Sequence, residues 1–172
     1  MGSGCGGGLV INKKIVSGAN GLGGEWSLNQ MPLKEIKSNI DYNGKFDFSQ
    51  RIEGHLSGKS IEKNFNNLFK KKLTAKEIFS KYRDKDTDAS NFINRYKTNL
   101  ARSLVIIITT IDPDAIVFGG GVSNEIDFLD ELKNISAKLL NEQNLKTVFL
   151  KPIYGDASGV RGAALLGRQN LI

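Results

Sequence analysis

The sequence contains very little cysteine and histidine. Among its 172 residues there is one cysteine, Cys5, and one histidine, His55. A single cysteine excludes an internal disulfide framework and is typical of a protein from a reducing cytosol. The two side chains together cannot supply the roughly four nitrogen or sulfur ligands of a structural zinc site. We therefore predict that the protein binds no zinc, and we interpret His55 as a surface or packing residue.

Long apolar runs are also missing. The longest, Leu104 to Ile111, is too short to span a bilayer and contains two threonines. The first residues are rich in glycine and lack the basic and apolar regions of a signal peptide. The sequence thus predicts a cytoplasmic protein without a membrane partner.

The charge is positive but not concentrated. The formal net charge is +6 and the isoelectric point is about 9.4, while 40% of the residues are hydrophobic and 24% are charged. Part of the excess lies in Lys70, Lys71 and Lys72, without interleaved aromatic residues. Such a cluster indicates a solvated face, so we predict no nucleic-acid partner. Length and composition are ordinary for one globular domain.

Glycine, by contrast, is abundant at the start of the chain. Five glycines surround Ser3 and Cys5 in residues 2–8, directly before the apolar segment Leu9-Val10-Ile11. From these glycines alone, a flexible tail is the simpler interpretation. A glycine-rich turn that leads into a strand can instead bring backbone N–H groups onto an anion such as phosphate. The buried-strand pattern of residues 9–11 and a later glycine turn after another apolar segment, Gly119-Gly120-Gly121, favour this second interpretation.

The remaining pattern predicts an α/β protein in which strands and helices alternate around a mostly parallel sheet. We expect a hairpin at residues 9–17, a helix over residues 61–69, and a helix opened by a capping box at Thr74. The longest helix should run from about Ala89 to Thr110, with a buried C-terminal end. A short buried strand over residues 115–118, a helix over 128–139, a strand over 148–153 and a closing helix over 158–166 follow. Residues 31–50 predict a polar loop.

Three ordered segments resemble the ROK family of bacterial sugar kinases, particularly its fructokinase-like members. They are the glycine run with the loop Ala19-Asn20-Gly21-Leu22-Gly23-Gly24-Glu25-Trp26, the segment from Asp112 to Asn124, and the segment from Gly155 to Ala164. The resemblance implies an actin-like, ribonuclease-H-like ATPase fold, of which residues 1–172 would form a single C-terminal lobe without the N-terminal lobe.

The resemblance also implies the site residues. ATP with Mg²⁺ would be the cofactor, and two groups of residues would bind it: Gly2, Ser3, Gly4 and Gly6 at the phosphates, and Gly119, Gly120 and Gly121 at the adenosine. Glu25 and Glu53 would accept hydrogen bonds from the hydroxyl groups of a hexose. For Glu53, a solvated charge at a helix start is an equally good interpretation.

The sequence departs from the family pattern in two respects. Ser27 and Leu28 stand where the family has a glycine and then a histidine that binds zinc and touches the sugar, and residues 44–51 contain no cysteine. The Asp-Gly-Gly-Thr phosphate loop and the Asn-Asp pair that carries the family's catalytic base are absent from the sequence. Phosphoryl transfer needs such a base and clamped phosphates. We therefore predict no catalytic residue on this chain, because none of the aspartates at 41, 47, 112, 114 and 156 has the Asn-Asp context.

Two hypotheses about function stay open. The first is the C-terminal part of an ATP-dependent hexose kinase, fructokinase-like and inactive alone, whose partner would be an N-terminal ROK lobe in trans or a second copy of the chain. The second is a non-catalytic ROK remnant, or the sugar-sensing part of a ROK-type transcriptional repressor. Whether the chain is an enzyme by itself thus stays undecided at this point.

Overall fold

The computed structural model describes residues 1–32 and 50–169, and the fold combines seven helices in this part of the chain with two small sheets. The strands are β1 (Val10–Ile11), β2 (Lys14–Ile15), β3 (Ala115–Val117) and β4 (Val148–Leu150). The helices are α1 (Glu53–Leu56), α2 (Gly58–Phe69), α3 (Ala75–Arg83), α4 (Thr87–Ile111), α5 (Gly121–Glu125), α6 (Leu129–Leu139) and α7 (Ser158–Gln169). Short 3-10 turns cover Trp26–Leu28 and Gly155–Ala157.

The two sheets have different topologies. Strands β1 and β2 form the predicted antiparallel hairpin, whose turn residues Asn12 and Lys13 both have positive φ. Strands β3 and β4 pair in parallel, with Ala115 opposite Val148 and Val117 opposite Leu150. The described residues are therefore mixed α/β, as the alternating pattern predicted.

The core lies where α3, α4 and α6 pack together. Helix α4 contributes a buried stripe of Ile93, Leu100 and Leu104, and α3 and α6 add Phe79 and Leu132. The predicted capping box opens α3: Thr74 accepts from the N–H of Glu77, whose carboxylate accepts from the N–H of Thr74. Both backbone bonds satisfy donors that would otherwise be left unpaired at the helix start.

One charged side chain lies inside this core. Lys97 is 2% exposed and donates through Nζ to Glu131 at 2.5 Å and to the Tyr82 hydroxyl at 2.6 Å. Burial lowers the pKa of Lys97, but these hydrogen bonds outweigh it and hold the pKa above its ordinary value. The ammonium therefore stays charged and links α4 to α3 and α6.

Helix α4 is longer than predicted, and its end is only partly buried. Asp112 ends it in the left-handed conformation, directly before Pro113 as the sequence indicated. Leu104 and Ile108 are buried, whereas Ile111 and the two threonines before it are exposed. The prediction of a buried C-terminal end is therefore wrong for the last turn.

The prediction of buried strands is wrong for most of the residues concerned, although Phe118, the last residue of the predicted strand over 115–118, is buried. In the hairpin, Val10 is 63% exposed and Ile11 is 48% exposed. In β3, Ala115 and Val117 are exposed and Ile116 is half-buried. The apolar composition of these segments signals a face that should be covered, yet no described element covers it.

Part of the predicted polar loop cannot be compared with the structure. Residues 33–49, which include Asp41 and Asp47, lie outside the described residues. At its two ends, Gln30 forms an antiparallel bridge with Arg51, and Met31 is buried. None of the described helices has the length and apolarity needed to cross a membrane.

Candidate functional site

The glycine segment is held in place by hydrogen bonds from residue 2 to residue 6. The Gly2 N–H donates to the Gly4 carbonyl at 2.8 Å, and the Gly58 N–H donates to the Gly2 carbonyl at 2.7 Å. At Gly4 a Cβ would lie 2.8 Å from Oε1 of Glu53. The segment is therefore a fixed loop, and the interpretation as a flexible tail is wrong.

Cys5 is the centre of this loop. Its N–H donates to Oε1 of Glu53 at 3.1 Å, and its carbonyl accepts from the hydroxyl of the buried Ser27. Burial raises the pKa of the Cys5 thiol to about 11, with a smaller upward contribution from the charges of Glu53 and Glu25. The thiol is protonated at neutral pH, so its role here is packing.

Two carboxylates flank the loop. Oε1 of Glu53 accepts from the Cys5 N–H, and Oε2 of Glu25 lies 3.4 Å from the position that a Cβ would take at Gly6. Trp26 donates through Nε1 to the Gly6 carbonyl at 3.2 Å. The loop over residues 19–26 carries Glu25, and α1 carries Glu53. These two predicted sugar-binding residues thus lie at opposite ends of the segment from residue 4 to residue 6.

The later glycine turn meets the start of the same loop. The N-terminal amine of Met1 donates to the Gly119 carbonyl, and the Val122 N–H donates to the Met1 carbonyl at 3.0 Å. Gly120 has a φ of 86°, and a Cβ there would lie 2.5 Å from the Met1 carbonyl oxygen. Only glycine fits this position without strain, because both its conformation and the close backbone exclude a side chain.

A cavity of about 610 Å³ opens beside this junction, and we call it the polar cavity because four charged residues, Lys59, Glu62, Lys76 and Glu125, are part of its lining. Three of the predicted nucleotide-binding residues border it, namely Gly2, Ser3 and Gly121. The side chains of Lys59 and Lys76 border it as well, at the beginnings of α2 and α3. The two lysines and the start of α2 attract phosphate. Glu62 and Glu125 lie on the same wall, where Glu62 accepts from the Ala75 N–H and Glu125 pairs with Arg83.

The other predicted glycines do not border this cavity. Gly6, Gly119 and Gly120 border a second cavity, of about 570 Å³, whose lining is mostly apolar. Gly4 borders neither cavity, and its contact is with Glu53. The nine predicted residues therefore lie in or beside the loop formed by residues 2–8. The glycines among them do not share one cavity, because some border the first, some border the second and Gly4 borders neither.

Sequence reasoning missed Lys59, Lys76 and the roles of Trp26 and Ser27. Lys59 precedes the predicted helix over residues 61–69, and Lys76 lies within the predicted capping box. Their proximity depends on how α2 packs against α3, which no local pattern reports. Ser27 appeared only as a departure from the family pattern, although it holds the Cys5 carbonyl.

The described residues contain no group of three or more His, Cys, Asp or Glu side chains that could hold a metal ion. Of the aspartates considered as a base, Asp112 ends α4 and Asp114 accepts the Val148 N–H through its carbonyl. The absence of zinc and of a catalytic residue both stay predictions.

Comparison with solved structures defines the class of fold. A ROK glucokinase from Streptomyces griseus in complex with glucose and AMPPNP superposes with a TM-score of 0.79 at 22% identity, covering 98% of this chain and 59% of that chain. A putative N-acetylmannosamine kinase from Listeria monocytogenes gives 0.78 at 22% identity, covering 100% of this chain and 56% of that chain. The fold is that of ROK sugar kinases, which is the actin-like ATPase fold.

Sequence comparison identifies the family. The family model described as "ROK family" matches residues 1–170, so the chain belongs to the ROK family. Its relatives include N-acetyl-D-glucosamine kinases from Histophilus somni, 37% identical, and from Pectobacterium carotovorum subsp. carotovorum, 34% identical. Both alignments cover 96% of this chain and 56% of the relative. The chain thus spans little more than half the length of these relatives.

Proposed function

We propose that the chain is the C-terminal lobe of an ATP-dependent ROK hexose kinase and that it is inactive without the N-terminal lobe. One observation carries the proposal: the glycine turn at residues 119–121 and the carboxylates of Glu25 and Glu53 all lie against residues 1–8. The chain that shows this arrangement belongs to a sugar-kinase family. The share of the relatives that the chain matches, 56%, supports its assignment as one of two lobes.

In this proposal ATP extends along the glycine segment from the polar cavity, bordered by Gly2, Ser3 and Gly121, to the second cavity, bordered by Gly6, Gly119 and Gly120. Backbone N–H groups of Ser3, Gly4 and Gly6 contact phosphate oxygens, Gly2 lies beside them with its own N–H on the Gly4 carbonyl, and Lys59 and Lys76 balance the charge of the phosphates. Gly119, Gly120 and Gly121 flank the adenosine. Mg²⁺ is held mainly by phosphate oxygens and water, as is common for this ion. The lysines on the cavity wall support this arrangement.

The sugar binds at the carboxylate side of the loop. Glu25 and Glu53 accept hydrogen bonds from sugar hydroxyls, and carboxylates are strong acceptors for such groups. Glu53 can do so through Oε2, because Oε1 already holds the Cys5 N–H. The base that removes the hydroxyl proton comes from the other lobe.

Two kinds of sugar are candidates for the substrate. The loop from Asn20 to Trp26 favours a fructose-type hexose by resemblance, whereas the names of the relatives favour N-acetylglucosamine. We propose a hexose substrate and let a comparison of N-acetylglucosamine, N-acetylmannosamine, glucose and fructose decide between these two.

The experiment mixes this chain with a separately purified N-terminal lobe of a ROK kinase and measures sugar-dependent ADP formation. We expect no activity from either polypeptide alone and activity from the mixture that is lost in Glu25→Ala. Sugar binding without any ADP formation by the mixture would instead support the sugar-sensing hypothesis.

Nucleotide binding is tested separately by titration calorimetry with ATP and Mg²⁺. Lys59→Met and Lys76→Met should each weaken binding by about tenfold, the loss expected for one charged hydrogen bond. Lys63→Met, an exposed lysine of α2 outside the cavity, is the matched control. Equal affinities in all three variants would contradict the assignment of the polar cavity to ATP.

A further inference from the structure

A third cavity lies between α1, α2 and α4, away from the glycine segment. Three asparagines border it, namely Asn64, Asn67 and Asn99, and we call it the amide-lined cavity after them. Its volume of about 440 Å³ is in the range of small-molecule sites, roughly 300–1,000 Å³. It shares no lining residue with the two cavities beside residues 1–8, so it is a separate place on the molecule.

The lining side chains come from one face of each long helix. On α2, Asn64 and Asn67 are three residues apart, and on α4, Phe92, Arg95 and Asn99 follow one another at spacings of three and four residues. Side chains at these spacings are neighbours on the surface of a helix. Each helix therefore contributes one continuous wall.

Contacts within the protein hold these walls in place. Asn64 donates through Nδ2 to the Gly54 carbonyl at 3.2 Å, which joins α2 to α1. The ring of Phe92 packs edge-on against Phe65 of α2, with the ring centroids 5.3 Å apart. The cavity is therefore formed by the packing of the three helices themselves.

The polar groups of this cavity are available to a ligand. Among the described residues, the side chains of Asn67, Arg95 and Asn99 make no hydrogen bond or ion pair with the protein, and no carboxylate belongs to the described lining. None of the residues three or four positions from Arg95 along α4 is acidic either. The positive charge of Arg95 is therefore not balanced by a neighbour on its own helix or on the cavity wall.

This set of groups fits a phosphorylated sugar. The guanidinium of Arg95 offers paired N–H donors to phosphate oxygens. The asparagine amides can both donate to and accept from sugar hydroxyls, and the ring of Phe92 provides an apolar surface beside them. The proposed sugar site at Glu25 and Glu53 is different, because its carboxylates suit a neutral sugar and repel a phosphate.

We propose that the amide-lined cavity is a second binding site, for a sugar phosphate whose phosphate lies on Arg95 and whose hydroxyls lie on Asn67 and Asn99. Helix α1 connects this site to the glycine segment, since Glu53 accepts from the Cys5 N–H and His55 borders the cavity. The product of the proposed kinase reaction belongs to this class of ligand, but the inference stands without that reaction.

Titration calorimetry of the full chain with glucose 6-phosphate, glucose and inorganic phosphate tests the inference. We expect glucose 6-phosphate to bind at least about tenfold more tightly than either of the other two, because it alone reaches both the arginine and the amides. Arg95→Met should weaken this binding by about tenfold, the loss expected for one charged hydrogen bond. Arg102→Met, on α4 but outside the cavity, is the matched control and should bind like the wild type.

A second pair of variants tests the amides. Asn99→Leu should also weaken the binding of glucose 6-phosphate, whereas Asn94→Leu, at an exposed position of α4 outside the cavity, should not. Melting temperatures of the four variants show whether each is folded, and Arg95 and Asn94 are both exposed, so their replacement leaves the core intact.

Glu25→Ala separates the two sites, because it should leave the binding of glucose 6-phosphate unchanged. The inference is overturned if glucose 6-phosphate does not bind, if inorganic phosphate binds as tightly, or if Glu25→Ala rather than Arg95→Met removes binding, which would place the ligand at the proposed sugar site. A mixture with the N-terminal lobe that makes no ADP, while the chain still binds glucose 6-phosphate through Arg95, would contradict the proposed function and support this inference.

Discussion

At the scale of single residues, the described site is built from side chains that hold backbone. Glu53 accepts from the Cys5 N–H, Ser27 donates to the Cys5 carbonyl and Trp26 donates to the Gly6 carbonyl. A glycine-rich loop loses much conformational entropy on folding, so such anchors are needed to keep it in one shape. The backbone groups of the loop are then held in one arrangement.

Glu53→Ala tests this anchoring. The variant leaves the half-buried Cys5 N–H without its acceptor, and a hydrogen bond to a charged group is worth about 1.5–3 kcal/mol. We expect amide exchange at Cys5 to rise by about tenfold, and Glu53→Gln to retain most of the protection through its carbonyl oxygen. Glu142→Ala, at an exposed turn where Glu142 accepts the Asn144 N–H, is a control that should leave Cys5 unchanged. Equal protection in Glu53→Ala and the wild type would show that the bond does not hold the loop.

The Cys5 thiol gives a pH-dependent prediction. Burial raises its pKa from 9.0 to about 11, so the folded state keeps its proton in a range where the unfolded state loses it. The free energy of unfolding should therefore fall as the pH rises from about 9 to about 11, by about 3 kcal/mol in total, and should be unaffected by Cys5 below this range. Urea unfolding at a series of pH values measures this, with Cys5→Ala as the reference for other titrating groups. Parallel pH curves for the two proteins would contradict the prediction.

At the scale of elements, the turn at Gly120 joins β3 to α5 and receives Met1. Gly120→Ala places a Cβ 2.5 Å from the Met1 carbonyl oxygen and forces a residue with a side chain to a φ of 86°. Backbone strain of this kind costs about 1–3 kcal/mol, so we expect a clear loss of thermal stability. Gly162→Ala, inside α7 with no neighbour within 4 Å of its Cβ, should cost nothing and gain up to about 1 kcal/mol. Scanning calorimetry compares the two, and a Gly120→Ala protein as stable as Gly162→Ala would refute the strain argument.

The ends of the helices and the hairpin turn could be predicted from the sequence, whereas the burial of the strands could not. Caps and breakers are local, so the capping box at Thr74, the stop at Asp112 and the hairpin turn were predictable from neighbouring residues. Burial is not local. The apolar pattern of Val10, Ile11 and Val117 indicated cover, but cover depends on which element packs there, and none does among the described residues.

The same distinction holds for the candidate site. The glycines and the two glutamates were predictable because a family motif places them in order along the chain. Lys59 and Lys76 were not, because they meet only through the packing of α2 against α3. The division of the glycines between two cavities was not predictable either, since it depends on where Met1 and Gly120 meet.

At the scale of the whole molecule, the missing zinc ligands bear on how the proposed sugar site is held. The resemblance places Leu28 where a zinc-binding histidine is expected, and within the described part of the chain Ser27 and Trp26 donate to the carbonyls of Cys5 and Gly6. We expect purified protein to contain no stoichiometric zinc by elemental analysis and to keep its melting temperature when a chelator is added. Stoichiometric zinc, or a lower melting temperature in chelator, would show that residues outside the described part supply ligands.

Exposed apolar surface on α7 leads to the last prediction. Val160 is 74% exposed and Leu165 is 63% exposed, so the described part of the closing helix leaves apolar side chains uncovered. Apolar patches of this kind mark interaction sites, so the isolated chain should self-associate with rising concentration. Sedimentation velocity measures this. The double variant Val160→Lys and Leu165→Lys should shift the chain to monomer, because two charges on the face oppose its burial. Leu22→Lys, which removes an exposed apolar side chain from a glycine-rich loop, is the matched control and should still associate. A wild-type chain that stays monomeric at all concentrations would show that the α7 face needs no partner.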